Sequence, residues 1–305
     1  MPADRAPREP RARFAHAHGV RLPLLGYGTS RRRGDACRLL VEEALRIGYR
    51  LIDTAEVYDN EAAVGRAIAA SRVPRGEIVL CTKAHPQRLL AGAPTEALER
   101  SLERLRAPFV DLFLMHWPCA LADLPRAMER LAAARESGLA RAVGLANAPA
   151  SFLSAARSRL PEIAVDQVER HLLLQQPRLV ATLRRSGVIL MAYRPTARGA
   201  AAAPEPVRTL ARTLGQSAHQ IALRWHLEQR GVVAIAGASS VEQLRENLAS
   251  LDFALGAAAM ASLATLDEGR RTLSRDYAPD WPEDRVPPQA RGVRGRHEPS
   301  ASPKE

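Results

Sequence analysis

Lysine is almost missing from this chain. Of its 305 residues, 44 are Lys or Arg, and only two of these are lysines, Lys83 and Lys304. Arginine stays charged at every useful pH, whereas lysine is a compact charge whose pKa responds to its surroundings. Because Lys304 lies in the C-terminal tail, Lys83 is the single lysine in the body of the chain. We therefore expect Lys83 to do chemistry that arginine cannot do.

Other scarcities exclude further classes of protein. The three cysteines, Cys37, Cys81 and Cys119, lack metal-ligand spacing and are too few for a disulfide framework, which predicts a reduced, cytoplasmic protein without a metal site. No run of about 18 apolar residues is present, so we expect no membrane partner. Aromatic residues make up 4% of the chain, and the arginines are scattered apart from the run at 31–33. Despite the net charge of +11, we therefore expect no nucleic-acid partner, and a ligand that carries phosphates fits the charge at least as well.

Short apolar segments alternate with segments of helical periodicity along most of the chain. Eight βα units in one domain of this length predict an α/β fold, namely a closed (β/α)8 (TIM) barrel. A doubly wound sheet is the structural alternative, but no Gly-x-Gly-x-x-Gly follows the first strand. The strands are predicted within 19–29 and at Leu51–Asp53, Ile78–Thr82, Asp111–Met115, Ala142–Leu145, Ala164–Val168, Val188–Tyr193 and Val232–Ala236.

The predicted barrel is a single domain that spans residues 19–270. Residues 1–18 are rich in Pro, Arg and Ala, and we expect a disordered N-terminal extension there. Residues 271–305 are expected to form a C-terminal loop and a basic tail, with the last twenty or so residues disordered. Tyr277 and Trp281 lie in this region, and we hypothesise that they fold back over the barrel mouth as a lid.

Four polar side chains fall at the ends of three consecutive predicted strands. Asp53 ends the second strand, and Tyr58 follows in the next loop. Lys83 ends the third strand and His116 the fourth. Because the active face of a (β/α)8 barrel lies at the C-terminal ends of its strands, we expect these four side chains to converge.

Their chemistry is complementary. Asp53 can pair with Lys83 and hold an ammonium beside Tyr58, and we predict that this cation lowers the pKa of the phenol from about 10 towards working pH. Tyr58 is then a general acid towards a carbonyl oxygen, which His116 can orient by a hydrogen bond. Hydride from a nicotinamide completes the reaction. An alternative makes Lys83 a Schiff-base nucleophile in an aldolase-type barrel, although the Asp53 partner argues for a charged lysine.

The motifs resemble those of the aldo-keto reductase family. Residues 48–61 read Gly-Tyr-Arg-Leu-Ile-Asp-Thr-Ala-Glu-Val-Tyr-Asp-Asn-Glu, residues 80–83 read Leu-Cys-Thr-Lys, and residues 111–118 read Asp-Leu-Phe-Leu-Met-His-Trp-Pro. The resemblance runs from about Val20 to Glu268. Within the family, the chain resembles in particular the bacterial 2,5-diketo-gluconic acid reductase-like members. It implies a monomeric NAD(P)H-dependent reductase that converts small aldehydes or ketones to alcohols. Its catalytic tetrad falls on Asp53, Tyr58, Lys83 and His116.

The resemblance also implies a site for NADP(H), with NAD(H) possible. Asn147 and Gln167 are expected to hold the nicotinamide carboxamide, Tyr193 to stack on its ring, and Arg194 to reach the pyrophosphate. Substrate contacts fall on Tyr58, His116 and Trp117. The full implied set for the cofactor is Gly28, Thr29, Asp53, Asn147, Gln167, Tyr193, Arg194, Ser239, Ser240, Arg245, Glu246 and Asn247.

The chain departs from the family pattern at several positions. Ala146 replaces a serine, Gly237 replaces the lysine expected at the 2′-phosphate, and Gln243 replaces an arginine. These changes leave the choice between NADPH and NADH open and motivate a further hypothesis, a nicotinamide-binding regulator with vestigial catalysis. Ser30 and His85 stand where many relatives place tryptophan, which predicts a more open and polar substrate pocket. Ser239 and Ser240 are equally well explained as the N-cap of a helix.

Overall fold

Eight parallel strands close into one barrel in the computed structural model, which describes residues 14–273. Around the barrel the order is β10, β3, β4, β5, β6, β7, β8, β9, and β1 pairs with β2 as a separate antiparallel hairpin. The strands are β1 (Phe14–Ala17), β2 (Val20–Pro23), β3 (Leu25–Gly28), β4 (Leu51–Asp53), β5 (Val79–Ala84), β6 (Val110–Met115), β7 (Ala140–Ala146), β8 (Val165–Glu169), β9 (Ile189–Tyr193) and β10 (Val232–Ala236).

Helices connect successive barrel strands, which confirms the predicted (β/α)8 barrel. The short helix α3 was not predicted, because its five residues are too few to show a helical period. The helices are α1 (Gly34–Ile47), α2 (Glu61–Ala70), α3 (Pro86–Leu90), α4 (Glu96–Leu105), α5 (Leu124–Glu136), α6 (Ala150–Arg157), α7 (Pro177–Arg185), α8 (Glu205–Leu214), α9 (Ala218–Leu227), α10 (Val241–Ala249) and α11 (Ala257–Ala264), with 3-10 turns at Glu56–Tyr58, Arg75–Glu77, Leu121–Asp123 and Ala197–Ala202.

The alternation of side chains along each strand creates two apolar layers. In β6, Leu112 and Leu114 point into the barrel interior, where they join its inner cluster. Phe113 and Met115 on the same strand point outwards and pack in the layer between sheet and helices. Strands that are buried on both faces read as continuous apolar runs, which is why the sequence pattern located them well.

The N-terminal hairpin closes the bottom of the barrel. Ala15 and Leu22 are buried in the inner cluster, beside the first residue of β4, Leu51. The prediction that residues 1–18 are a disordered extension is therefore wrong for residues 14–17. Composition suggested disorder, but pairing with β2 and contact with the barrel floor order this segment.

Some predictions fall outside the described residues. These concern residues 1–13 and the tail beyond residue 273, including Lys304, Tyr277 and Trp281. Within residues 14–273, no helix is long and apolar enough to cross a membrane. In the same range, no three His, Cys, Asp or Glu side chains form a group that could hold a metal ion.

A tight helix contact yields a test of the packing. A Cβ added at Gly65 in α2 would lie 2.2 Å from the backbone oxygen of Leu105, which ends α4. Relieving this overlap requires a shift of the backbone, which costs free energy. We therefore expect Gly65→Ala to lower the free energy of unfolding by about 1–3 kcal/mol, even though alanine has a higher helix propensity than glycine. Urea denaturation measures the change. Gly76→Ala is the control, since an added Cβ meets no atom within 4 Å there. Equal stability of the two variants would contradict this packing.

Candidate active site

A cleft of about 510 Å³ opens at the C-terminal ends of the barrel strands. Asp53, Tyr58 and His116 line this cleft together with Trp117. Lys83 lies behind its wall and is fully buried. The structure therefore brings together the four side chains that the sequence placed at three consecutive strand ends.

A buried ion pair forms the floor of the site. Lys83 Nζ lies 2.8 Å from both carboxylate oxygens of Asp53 and donates a third hydrogen bond to the carbonyl oxygen of Thr54 at 2.7 Å. Asp53 also accepts a hydrogen bond from Gln167 Nε2 at 2.7 Å. All three ammonium protons have partners, which is what burial of a cation requires.

The protonation state of Lys83 follows from this geometry. Burial by itself lowers the pKa of Lys83, but the charge of Asp53 raises it, and the net pKa lies above the ordinary value of 10.5. Lys83 is consequently an ammonium ion at neutral pH. Since a Schiff base needs a neutral amine, the geometry argues against the aldolase-type alternative.

Tyr58 sits beside this cation, at the end of the 3-10 turn Glu56–Tyr58. The Lys83 Nζ atom lies 5.2 Å from the centroid of its ring. Burial raises the pKa of Tyr58 above 10.0, and this effect outweighs the lowering by Lys83. The prediction that the cation pulls the phenol pKa below its ordinary value is therefore wrong, because desolvation of the phenolate dominates. Tyr58 keeps its proton at neutral pH and is available as a donor.

His116 stands at the edge of the Tyr58 ring. The two ring centroids are 5.7 Å apart at an interplanar angle of 79°. The backbone of His116 is held on both sides. Its N–H donates to the oxygen of Ala84 at 2.9 Å, and its carbonyl oxygen accepts from Asn147 Nδ2 at 3.0 Å. Burial, followed by the charge of Lys83, lowers the pKa of His116 to about 3. The ring is therefore neutral, and its buried Nδ1 has no hydrogen-bond partner within the described structure.

Aromatic and amide groups line the far side of the cleft. Tyr193 ends β9, and its hydroxyl donates to Asn147 Oδ1 at 2.7 Å. Asn147 has a φ of 61°, a left-handed conformation that asparagine tolerates better than most residues. Gln167, bonded to Asp53, lies on the same wall. These three residues, predicted from the family resemblance, form one continuous surface beside the ion pair.

Four arginines give the cleft a positive wall that the sequence analysis recognised only at Arg194. Arg31 and Arg32 follow β3, and Arg194 and Arg198 follow β9. Burial and then the like charges of Arg194 and Arg31 lower the pKa of Arg198, so these guanidinium groups lie near one another. The signal in the sequence is the arginine run 31–33, which follows the first barrel strand.

Among the other predicted cofactor residues, Gly28 and Ser239 line the cleft. Thr29 is buried beneath it and donates to the oxygen of Asp53 at 3.0 Å. Ser240 is the N-cap of α10 and accepts a hydrogen bond from the N–H of Gln243. Neither Thr29 nor Ser240 lines the cleft itself. Three further members of the set also do not line it, and their roles stay predictions; these are Arg245, which is exposed, Glu246, which accepts from Ser217, and Asn247, which donates to the oxygen of Gly237.

The predicted substrate wall is partly present. Trp117 lines the cleft and stacks on His116, with 6.2 Å between the ring centroids. Ser30 also lines the cleft, as the prediction of a polar pocket requires. His85 instead caps the N-terminus of α3, where its ring accepts from the N–H of Gln87, and it does not line the cleft. The sequence pattern could not show that Ser30 lines the cleft and His85 does not. The direction of each loop depends on how the helix after it packs.

Comparison with known proteins agrees with this geometry. The model of the Aldo/keto reductase family matches residues 25–268. An aldo-keto reductase of Mycolicibacterium vanbaalenii is 39% identical over 252 residues, covering 82% of this chain and 90% of that protein. The methylglyoxal reductase DkgB of Yersinia pestis is 34% identical over 265 residues, covering 85% and 99%. A crystal structure assigned as a 2,5-diketo-D-gluconic acid reductase B superposes with a TM-score of 0.83 at 34% identity, covering 88% and 97%.

Fold and site together define a (β/α)8 barrel enzyme with a buried Lys–Asp pair beneath a tyrosine and a histidine. The chain belongs to the aldo/keto reductase family. Members of this family are oxidoreductases that generally use nicotinamide cofactors, and the reductase relatives support reduction of a small-molecule carbonyl by this chain. The resemblance stated from the sequence motifs is confirmed.

The neutral state of His116 predicts how stability depends on pH. Its folded pKa of about 3 lies below the ordinary value of 6.5, so between these values the unfolded chain binds a proton that the folded chain does not. Stability is thus fully present above pH 6.5 and falls at lower pH, by about 1.4 kcal/mol per pH unit from this residue. The free energy of unfolding can be measured by urea denaturation at pH 6 and at pH 5. Between these two pH values, we expect it to fall by about 1.4 kcal/mol less in His116→Gln than in the wild type. An unchanged slope in the variant would contradict a buried neutral imidazole.

Proposed function

We propose that this protein is an NAD(P)H-dependent reductase of aldehyde or ketone carbonyls. The observation that carries the proposal is the Lys83 ammonium, held by Asp53 behind Tyr58, at the wall of a cleft that also presents His116. A protonated phenol and a neutral imidazole on one wall supply two hydrogen-bond donors for a single carbonyl oxygen. This arrangement supports proton delivery to that oxygen.

The residues of the cleft fit a dinucleotide. Asp53 is the only carboxylate among the described residues that line the cleft, and Lys83 already neutralises it. Four guanidinium groups remain to bind phosphates, which arginine does well because of its fork of N–H donors. Tyr193 offers a ring to the nicotinamide, and Asn147 and Gln167 offer amides to its carboxamide. The bound nicotinamide would supply hydride from C4 to the carbonyl carbon.

The residues of this chain perform the proton chemistry. Tyr58 donates its proton to the carbonyl oxygen as negative charge develops there. The phenolate left behind lies beside the Lys83 ammonium, which stabilises it more in the buried site than it could in water. Asp53 keeps that ammonium charged and in place. His116 donates an N–H to the same oxygen and so fixes the orientation of the substrate.

The proposed preference is for NADP(H), with NAD(H) also used. At the expected site of the 2′-phosphate, Gly237 stands in place of a lysine and Gln243 in place of an arginine. Both Gly237 and Gln243 line the cleft. Arg31 and Arg198 also line the cleft, and they lie in the segments that follow β3 and β9, the two strands on either side of β10. For the substrate, the names of the relatives and the polar Ser30 support a small, hydroxylated or dicarbonyl compound. Free thiols at all three cysteines support a reducing, cytoplasmic location.

The role of Tyr58 is tested by removing one hydroxyl. We expect Tyr58→Phe to lower kcat by about 10²–10⁴-fold, the usual contribution of a positioned general acid, with NADPH binding unchanged. Steady-state oxidation of NADPH with a nitrobenzaldehyde gives kcat, and fluorescence titration gives the dissociation constant. Tyr49→Phe is the control, since that hydroxyl bonds the oxygen of Leu244 and does not line the cleft. Retained turnover in Tyr58→Phe would refute its role as the acid.

The arginine wall is tested by titration of NADPH and NADH. We expect NADPH to bind more tightly, and Arg31→Ala to weaken NADPH binding by about tenfold or more, because a charge-assisted hydrogen bond is lost. Arg33→Ala is the matched control from the same run, since Arg33 is exposed and does not line the cleft. Equal effects of the two variants would contradict a phosphate contact. Tight binding of NADPH without oxidation of any aldehyde would favour the regulator hypothesis instead.

A further inference from the structure

The chain returns to the cleft after its last described helix, α11. We call residues 266–273 the C-terminal strap. The backbone N–H groups of Glu268 and Arg270 both donate to the carbonyl oxygen of Leu173, at 3.2 and 2.9 Å. The strap then continues to Leu273, which lines the cleft. The contacts of residues 272 and 273 with the barrel therefore decide whether this part of the cleft wall is in place.

Residues 272 and 273 contact a buried carboxylate on the barrel. Glu169 ends β8, and its side chain is 0% exposed. Its Oε1 accepts from the backbone N–H of Thr272 at 2.7 Å and from the Thr272 hydroxyl, and its Oε2 accepts from the N–H of Leu273 at 3.2 Å. His171 Nε2 lies 3.3 Å from the same Oε1. Residues 272 and 273 of the strap are thus held by a fixed negative charge rather than by a backbone ladder.

The same carboxylate faces one of the arginines of the cleft. Arg194 Nη1 lies 3.9 Å from Glu169 Oε1 and donates to the Thr272 hydroxyl at 3.2 Å. Arg194 lines the cleft, and its exposed fraction is 20%. The three side chains form a closed network in which the carboxylate contacts both the strap and the arginine. Removing the carboxylate would release both of them.

We propose that Glu169 is a positioning residue of the nucleotide cleft, which fastens the strap and Arg194 to the cleft wall and so slows release of the bound nucleotide. The identity of the nucleotide rests on the function proposed above, whereas the anchoring rests on the contacts alone. Burial raises the pKa of Glu169, but hydrogen bonds from His171 and Thr272 lower it to about 2. The carboxylate is therefore ionised throughout the neutral range.

Limited trypsin digestion of the full chain tests the anchoring without any nucleotide. Cleavage after Arg270 or Arg271 requires the strap to leave the barrel, and mass spectrometry separates these cuts from all others. Glu169→Gln keeps the size of the side chain but places an amide N–H donor against the N–H donors of the strap. We therefore expect these cuts to be at least about tenfold faster in this variant. Thr272→Val, in the strap itself, should act in the same direction with the barrel core untouched. Glu268→Gln is the control, because its exposed carboxylate only pairs with Arg270.

Stopped-flow displacement of NADPH tests the effect on the cleft. We expect the dissociation rate to rise about tenfold in Glu169→Gln and Thr272→Val, while the single-turnover rate at saturating NADPH stays within about twofold. A general loss of structure would lower that rate as well. Cleavage or release at the wild-type rate in both variants would overturn the inference. Wild-type protein that binds no nicotinamide nucleotide would refute the proposed function and the effect on release, while the digestion would still decide the anchoring.

Discussion

The ion pair between Lys83 and Asp53 is the constraint on which the candidate site depends. A fully buried ammonium is costly unless each proton has a partner, and here two oxygens of Asp53 and the carbonyl of Thr54 supply them. Removing one member of such a pair costs about 3–5 kcal/mol, because the other charge is left uncompensated. Lys83 belongs to β5, whereas Asp53 ends β4 and Thr54 follows it, so these contacts also fix the two strands to one another.

Burial acts in opposite senses on the two groups above this pair. It raises the pKa of Tyr58 and lowers that of His116, and in both cases the neutral form is favoured. The floor of the site is therefore one charged pair, and the groups proposed to meet the substrate are two neutral donors. Charge that develops on a substrate oxygen would then lie near the Lys83 ammonium, in a medium that screens it weakly.

The positive wall of the cleft is built by loops other than the one that follows β10. Gly237, which follows β10, and Gln243, in α10, stand where the family resemblance implies basic groups. The strands on either side of β10 are β3 and β9, and the loops after them carry arginines. Because the interaction of a phosphate with a guanidinium depends on distance rather than on chain position, arginines from flanking loops can serve the same phosphate.

The sequence by itself determined the barrel and the positions of Asp53, Lys83 and His116, because strands buried on both faces are continuous apolar runs and their ends are visible as polar residues. Tertiary structure decided the rest. The sign of the pKa shift of Tyr58 depends on how much water the fold removes, which no local pattern records. The order of residues 14–17 depends on a barrel floor built from distant strands. The network at Glu169 joins residues about one hundred positions apart, and only the closed fold brings them within hydrogen-bonding distance.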